Sequence, residues 1–262
     1  MIEFIGNQYF AELRHRCFFQ EGISPWPSKR DFRMHDLIHD LSQFVSRGMC
    51  FRMEGVNSCN LMNKVRHMSL VIEDLESINI NEFDKCLQLS TFILIDYFLK
   101  DIDDKFHGNL PPAHFFGVFK FLRVLDLNST RIETLPDISH LKHFRYINLS
   151  CSDIRELPEP LCYLFNLQTL ILDDCLCLSG LPKSIGNLIN LQHLRMAEIG
   201  DSKFEYTPRG IGRLHLLRTL SCVLVMNQQN EYNGFKIEDL KDLELLEGTL
   251  RSDSESRECG QC

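Results

Sequence analysis

The sequence predicts an α/β fold in which a repeated unit stacks into a solenoid, with a parallel sheet on the concave face and a small helical segment in front. Two observations lead to this prediction. Leucine is rare in residues 1–60, which contain only Leu13, Leu37 and Leu41, and it becomes abundant after residue 110. In the leucine-rich region a single motif recurs at a regular spacing, whereas residues 1–55 show the spacing of amphipathic helices.

The recurring motif has the form L-x-x-L-x-L and is present five times. Its copies begin at Leu122, Phe144, Leu167, Leu191 and Leu217. Every interval between successive copies falls within the range of about 20–29 residues that, with this motif, defines leucine-rich repeats. Alternate residues of a short strand point to opposite faces, so stacked copies bury their leucines together and form a parallel sheet. The sequence therefore predicts a leucine-rich-repeat solenoid over residues 65–250.

Less regular segments flank the five copies. The strand-like runs 65–72 and 89–95 are predicted as atypical first repeats, because terminal repeats usually depart from the consensus. Apolar residues at mixed spacings over 237–246 are predicted to begin another repeat. Residues 251–262 are polar and aperiodic, which predicts a tail.

Residues 1–55 are predicted to be mainly helical, and the polar segment 56–64 is predicted to link them to the repeats. In the first helix one face is formed by Phe10, Leu13, Cys17 and Phe18. A short extended piece at 32–34 precedes a second helix, for which Asp36 is the predicted N-cap and Gly48 the predicted end. Its apolar stripe consists of Leu37, Ile38, Leu41, Phe44 and Val45.

Composition and charge exclude several protein classes. With 44% hydrophobic residues the chain can form a core, and no apolar run is long enough to predict a membrane span. The formal charge of −8 argues against a general nucleic-acid-binding protein. The N-terminus lacks the pattern of a signal peptide, so the eleven cysteines are predicted to be reduced thiols of a cytoplasmic protein, with the nucleus as the alternative location. Cys175 and Cys177 are predicted to serve in packing or in a turn.

The order of several motifs resembles plant intracellular immune receptors, in which an NB-ARC module precedes leucine-rich repeats. Phe18-Phe19-Gln20 followed by Met34-His35-Asp36 is similar to the winged-helix subdomain that ends that module. The segment 66–69 resembles the start of the receptors' repeats, and the motif at 122–127 is similar to their repeat consensus. The resemblance covers roughly residues 3–250 and identifies residues 1–55 as a winged-helix remnant.

The resemblance implies a disease-resistance function with an ADP/ATP switch. It assigns His35, flanked by Met34 and Asp36, to contact with the phosphates of bound ADP, and an imidazole at a helix N-terminus suits that role. The chain contains no G-x-x-x-x-G-K-[ST] motif for the phosphates, so we expect a partial chain that binds no cofactor alone. No catalytic residues are predicted, and we expect no enzyme activity.

Two sharper interpretations of residues 1–55 are less favoured. His35 and His39 form H-D-x-x-H, a near match to a zinc protease motif, but Asp replaces the usual Glu and no third ligand is marked. DNA binding by a winged helix requires a basic surface, whereas residues 1–66 carry nine Lys and Arg against seven Asp and Glu.

The outward-facing strand positions are the predicted partner-binding surface of the repeats. They are Val124, Asp126, Asn128, Tyr146, Asn148, Ser150, Thr169, Ile171, Asp173, His193, Arg195 and Ala197. Tyr146, His193 and Arg195 are the expected anchors, because such side chains are large or carry directional polar groups. The resemblance implies a pathogen effector, a guarded host protein or the receptor's N-terminal domains as partners. The alternative is a stand-alone repeat scaffold or decoy without a nucleotide switch.

Overall fold

The computed structural model describes residues 2–22, 31–54, 63–72, 83, 85–96, 113–130, 132–196, 207–223, 235–247 and 251–252. The chain divides into two compact units, Met1–Cys50 and Phe51–Cys262. Each unit has its own secondary structure.

The first unit contains helix α1 (Ile2–His15), the antiparallel strands β1 (Phe19–Gly22) and β2 (Asp31–Met34), and helix α2 (Asp36–Ser46). Two details of the prediction were wrong. Helix α1 ends before Cys17, which has a φ of 60° and therefore leaves the helical conformation. The N-cap of α2 is His35 rather than Asp36, and its C-cap is Arg47, with Gly48 following in the left-handed region.

The second unit is built on an eight-stranded sheet with the strand order β10-β9-β8-β7-β6-β5-β4-β3. Its strands are β3 (Cys50–Glu54), β4 (His67–Ile72), β5 (Thr91–Asp96), β6 (Val124–Asp126), β7 (Tyr146–Asn148), β8 (Thr169–Ile171), β9 (His193–Arg195) and β10 (Thr219–Leu220). Every pairing from β4 to β10 is parallel and joins consecutive repeats. The predicted α/β repeat fold is therefore confirmed, including the atypical first strands β4 and β5.

This unit also contains helix α3 (Ala113–Val118) and the short parallel strands β11 (Cys222–Val223) and β12 (Arg251–Ser252). Its described residues further include 3₁₀ helices at Glu159–Tyr163, Ile185–Asn187, Arg209–Arg213 and Ile237–Leu240. Strand β3 lies within the segment predicted to be the helical remnant, and it pairs onto the repeat sheet. Strand β12 lies at the start of the segment predicted to be a polar tail.

One core runs through the stacked repeats. Each repeat buries three apolar residues at three-residue spacing, as in Leu161, Leu164 and Leu167, and then the inward residues of its strand. The motif residues Leu125 and Leu170 are fully buried, while the residues on either side of them in the strand face outward. Burial of this kind requires a neighbouring repeat on each side, which is why the apolar content is arranged as a stack.

A recurring turn follows each of three successive strands. Ser129, Cys151 and Asp174 occupy equivalent positions and all have φ between 55° and 61°. Backbone hydrogen bonds connect each turn to the next one, since Ser129 N donates to Ser150 O at 2.8 Å and Cys151 N donates to Asp173 O at 2.9 Å. The buried Cys175 packs beside this turn with Sγ 3.1 Å from Leu149 O, as predicted for a packing thiol.

Candidate partner-binding surface

Successive strands place equivalent side chains next to each other on the outward face of the sheet, which we call the sheet face. One row runs from Val124 through Tyr146 and Thr169 to His193. A second row consists of Asp126, Asn148, Ile171 and Arg195. Because the rows follow from strand register, each side chain has a fixed neighbour on either side.

Hydrogen bonds connect the second row across β6 and β7. Asp126 Oδ1 accepts from Asn148 Nδ2 at 3.1 Å and from the backbone N–H of Asn128 at 3.0 Å. Asn148 Oδ1 in turn accepts from the Ser150 hydroxyl at 2.6 Å and from the Ser150 N–H at 3.1 Å. Asn148 and Ser150 are buried, so these bonds satisfy groups that would be costly to leave unpaired. The network therefore holds Asp126 in a fixed orientation.

A second polar pair lies on β9 and just after β8. Arg195 Nη2 is 2.6 Å from Asp173 Oδ2, and the Asp173 side chain is nearly buried whereas half of the Arg195 side chain is exposed. Between this pair and Asp126 lies Tyr146. Burial, together with the negative charge of Asp126, raises the pKa of Tyr146 to about 12, so its hydroxyl remains a hydrogen-bond donor at physiological pH.

The predicted partner-binding residues of the sheet face differ in how far they are exposed. Arg195 is exposed, and Asn148, Ser150 and Asp173 are buried. Half-buried side chains, which a partner can reach, are Val124, Asp126, Asn128, Tyr146, Thr169, Ile171 and His193. Ala197 lies outside the described residues. The buried residues position Asp126 and Arg195 and offer little surface of their own.

Sequence reasoning missed two related histidine pairs, which lie at the register positions that extend the first row at its two ends. His193 Nδ1 lies 3.0 Å from Thr219 Oγ1, and His67 Nδ1 lies 3.0 Å from Thr91 Oγ1. Partial burial, and to a smaller extent the charge of Arg66, lowers the pKa of His67. In both pairs the histidine lies opposite a threonine of the next strand, and alignment of the repeats could have predicted this. For His67 the alignment fails, because β4 and β5 lack the repeat consensus.

In the first unit, the Met34-His35-Asp36 segment forms the junction between β2 and α2. His35 Nδ1 accepts a hydrogen bond from Leu37 N at 3.3 Å and so caps the helix. The neutral imidazole then carries its proton on Nε2, which can donate to an anion near the positive helix terminus. His35 and Asp36 are exposed and Met34 is half-buried. Within the described residues, no three His, Cys, Asp or Glu side chains form a candidate metal site.

Two family models match this chain. Residues 107–260 match a leucine-rich repeat region, and residues 1–42 match the winged helix domain of disease resistance proteins. The second match agrees with the motif order of the first unit, and it disfavours a stand-alone repeat scaffold. None of the helices in the described portion of the chain is both long and apolar enough to cross a membrane.

Similar curated proteins come from plants. Disease resistance protein At3g14460 of Arabidopsis thaliana is 33% identical over 188 residues, which are 66% of this chain and 12% of that protein. Disease resistance protein RPS5 of Arabidopsis thaliana is 29% identical over 233 residues, which are 83% of this chain and 24% of that protein. The chain thus spans between about an eighth and a quarter of the length of these two relatives.

Among solved structures, InlP of Listeria monocytogenes has a TM-score of 0.51 at 17% identity, over 77% of this chain and 55% of that chain. At this identity the similarity shows the fold alone. The fold, the two family models and the plant relatives agree with one another. This chain belongs to the leucine-rich-repeat family of plant disease resistance proteins.

Proposed function

We propose that the repeats recognise a protein partner in plant defence, through the half-buried and exposed residues of the sheet face on β6–β9. The partner is a pathogen effector, or a host protein that an effector modifies. The observation that carries this proposal is the pair of polar contacts that order the sheet face, namely the bond of Asn148 to Asp126 and the ion pair of Asp173 with Arg195. Because Asn148 and Asp173 fix their neighbours before binding, less side-chain entropy is lost when a partner binds.

The chemistry of the sheet face favours a protein partner. Tyr146 offers a large ring with a hydroxyl that stays protonated. Arg195 offers N–H donors, and its positive charge is partly neutralised by Asp173. Tyr and Arg are frequent in the centres of protein interfaces. Ile171 and Val124 add apolar area next to them. We propose a role in recognition and no catalytic step.

The first unit is proposed to act in a nucleotide switch of the receptor, located in the cytoplasm or the nucleus. His35 caps α2 through Nδ1 and leaves Nε2 available to an ADP phosphate. A partner bound to the repeats shifts such a switch only if its affinity differs between the ADP-bound and ATP-bound states. The receptor's N-terminal domains are further proposed partners. For this chain alone, titration calorimetry with ADP is expected to show weak binding, and a saturable micromolar site would contradict that expectation.

The recognition proposal is tested by affinity purification from infected plant tissue, with the full chain as bait, followed by mass spectrometry. Tyr146→Ala and Arg195→Ala are each expected to remove the same partner. Arg155→Ala is the matched control, because Arg155 is also an exposed arginine in an ion pair, with Glu133 at 3.0 Å, but lies away from the sheet face. An unchanged partner set in both test variants would contradict the proposal.

A further inference from the structure

Each repeat enters its strand through a tight turn. In this turn the backbone N–H of the first motif residue donates to the carbonyl three residues earlier, with N···O distances of 2.8 to 3.2 Å. The donor residues are Leu89, Leu122, Phe144, Leu167, Leu191 and Leu217. Both end residues of every turn are buried. The two central residues are therefore turned outward, whatever their chemistry.

These central residues form a continuous surface along the edge of the sheet, which we call the turn ridge. It consists of Leu87, Gln88, Lys120, Phe121, Lys142, His143, Phe165, Asn166, Ile189, Asn190, His215 and Leu216. Aspartate and glutamate are absent from it, although the whole chain carries a charge of −8. Its five large hydrophobic side chains are between 41% and 57% exposed. The next turn along, with Glu244 at its centre, ends this acid-free stretch.

The turns before β6 and β7 form a basic half of the ridge. Lys120 and Lys142 are exposed, and Arg123 and Arg145 follow directly, also exposed. None of the four is within ion-pair distance of a carboxylate among the described residues. Of the four, Lys142 acts on Asp137, whose pKa is lowered mainly by hydrogen bonds from Ser139 and to a smaller extent by the charges of His140 and Lys142.

The turns before β8, β9 and β10 form an apolar half, with Phe165, Ile189 and Leu216 exposed. The two halves are in contact at Lys142. Its Nζ lies 5.7 Å from the ring centroid of Phe165 and 5.9 Å from that of Tyr163, and it donates to Tyr163 O at 3.2 Å. The chain therefore exposes apolar and cationic groups side by side, on a surface distinct from the sheet face.

We propose that the turn ridge is a second protein-docking surface, which binds an extended segment of another protein with acidic residues at one end and apolar residues at the other. Adjacent strands lie about 4.8 Å apart, so the five turns of the two halves extend over roughly 19 Å, the length of about six extended residues. The acidic end faces the four cations, and the apolar end covers Phe165, Ile189 and Leu216. Charge complementarity sets the orientation and the burial of apolar area adds affinity.

The division of the ridge into two halves favours a protein segment over other anions. A nucleic acid or an anionic bilayer presents its negative charge uniformly, and would leave the turns before β9 and β10 with no cation to neutralise except the partly paired Arg218. A protein segment can change from acidic to apolar within a few residues. Only such a segment uses both halves at once.

The test measures binding of a fluorescent synthetic peptide, four Glu residues followed by Gly-Leu-Phe-Leu, to the full chain by anisotropy. We expect saturable binding with a Kd on the order of 10 to 100 μM at low salt. The double variant Lys120→Glu/Lys142→Glu and the double variant Phe165→Ser/Ile189→Ser are each expected to weaken binding about tenfold. All four side chains are exposed, so the circular dichroism of the variants should match that of the parent. Thermal unfolding should shift only slightly, through loss of the contacts of Lys142 with Tyr163 and Phe165.

Matched controls are Lys183→Glu and Leu176→Ser, an exposed cation and a 56% exposed leucine that lie away from the turn ridge. Both should bind the peptide as the parent does. Absence of binding, equal binding of a tetraglutamate peptide without the apolar end, or equal weakening by the controls would overturn the proposal. Binding of phosphatidylserine vesicles or polyuridylate that is as tight as peptide binding, and is lost in the lysine variant alone, would also overturn it and assign the ridge to polyanions.

Discussion

The two units use their apolar side chains in opposite ways. In α2 the predicted stripe is present, but Leu37 is 72% exposed, Phe44 is 81% exposed, and no residue of the helix is buried. In the repeats the motif leucines, such as Leu125 and Leu170, are fully buried. A stacked repeat packs its apolar residues against the next repeat, whereas the stripe of α2 is not buried by the described residues of its own unit.

This difference indicates where the stability of each unit originates. In the second unit it comes from buried area shared between repeats, so it depends on side-chain shape at every layer. In the first unit it comes from local features: the strand pair β1–β2, the caps of α2, and the contacts of Phe10 with Phe19 and Phe32 at centroid distances of 5.2 and 5.0 Å. Core substitutions should therefore produce the largest difference between the two units in loss of unfolding free energy.

The largest expected effect is from Leu170→Ala, which leaves a cavity between β7 and β9. We expect the free energy of unfolding of the second unit to fall by about 2–5 kcal/mol, as measured by urea unfolding with hydrogen exchange to report on each unit. Phe44→Ala removes a larger side chain from α2 and should cost less than about 0.5 kcal/mol, because that ring is already exposed. Equal losses in the two variants would refute the comparison.

Glycines provide the next contrast. A Cβ on Gly186 would clash with the carbonyl oxygen of Gly210 in the following repeat, so Gly186→Ala is expected to destabilise the second unit by about 1–3 kcal/mol. Gly6 lies within α1, where an added Cβ would meet no atom within 4 Å, and Gly6→Ala should stabilise that helix by about 0.5–1 kcal/mol. Thermal unfolding followed by circular dichroism measures both, and no loss of stability in Gly186→Ala would contradict the close approach of Gly186 to Gly210.

Substitutions of polar residues should also cost the second unit more free energy of unfolding than the first, but the losses should be smaller than for core residues. Asn148→Ala removes the link between Asp126 and Ser150 in a buried position, with an expected loss of about 1–3 kcal/mol in the second unit. His35→Ala removes an exposed helix cap, with an expected loss of about 0.5–1 kcal/mol that is confined to α2. Hydrogen exchange resolves the two: protection should fall across β6–β8 in the first variant and only in α2 in the second.

The sequence predicted the portion of the fold that repeats. A fixed period places Leu122 and Leu167 in equivalent positions, so strand direction, register and inward face all follow from alignment of the copies. Strand β3 was missed because residues 50–54 carry no repeat consensus, and its pairing depends on the edge that β4 leaves open. The His35 cap was missed because Asp is a commoner cap than His, and only the geometry shows which side chain accepts from Leu37 N.

The two candidate surfaces were likewise predicted only in part from the sequence. Strand alternation alone placed Tyr146 and Arg195 on the sheet face. It could not show that Asn148 and Asp173 lie beneath that surface, because burial there depends on the side chains of neighbouring strands. The turn ridge has a sequence signal, namely the two residues before each motif, but that signal becomes visible only when the turns are seen to expose both positions.

The smallest expected effect concerns pH and the first strands of the second unit. Burial lowers the pKa of His67 in the folded chain, so between the usual value of about 6.5 and the lower folded value the unfolded chain binds more protons. The free energy of unfolding should therefore decrease as the pH falls through this range. His67→Gln should remove that component, which urea unfolding at pH 7.5 and pH 5.0 would detect as a smaller difference between the two conditions. Arg66→Gln removes the lesser cause of the shift and should give an intermediate result, because burial still acts on the imidazole. If the pH dependence were unchanged in His67→Gln, the proton that destabilises the repeats at low pH would have to bind elsewhere in the chain.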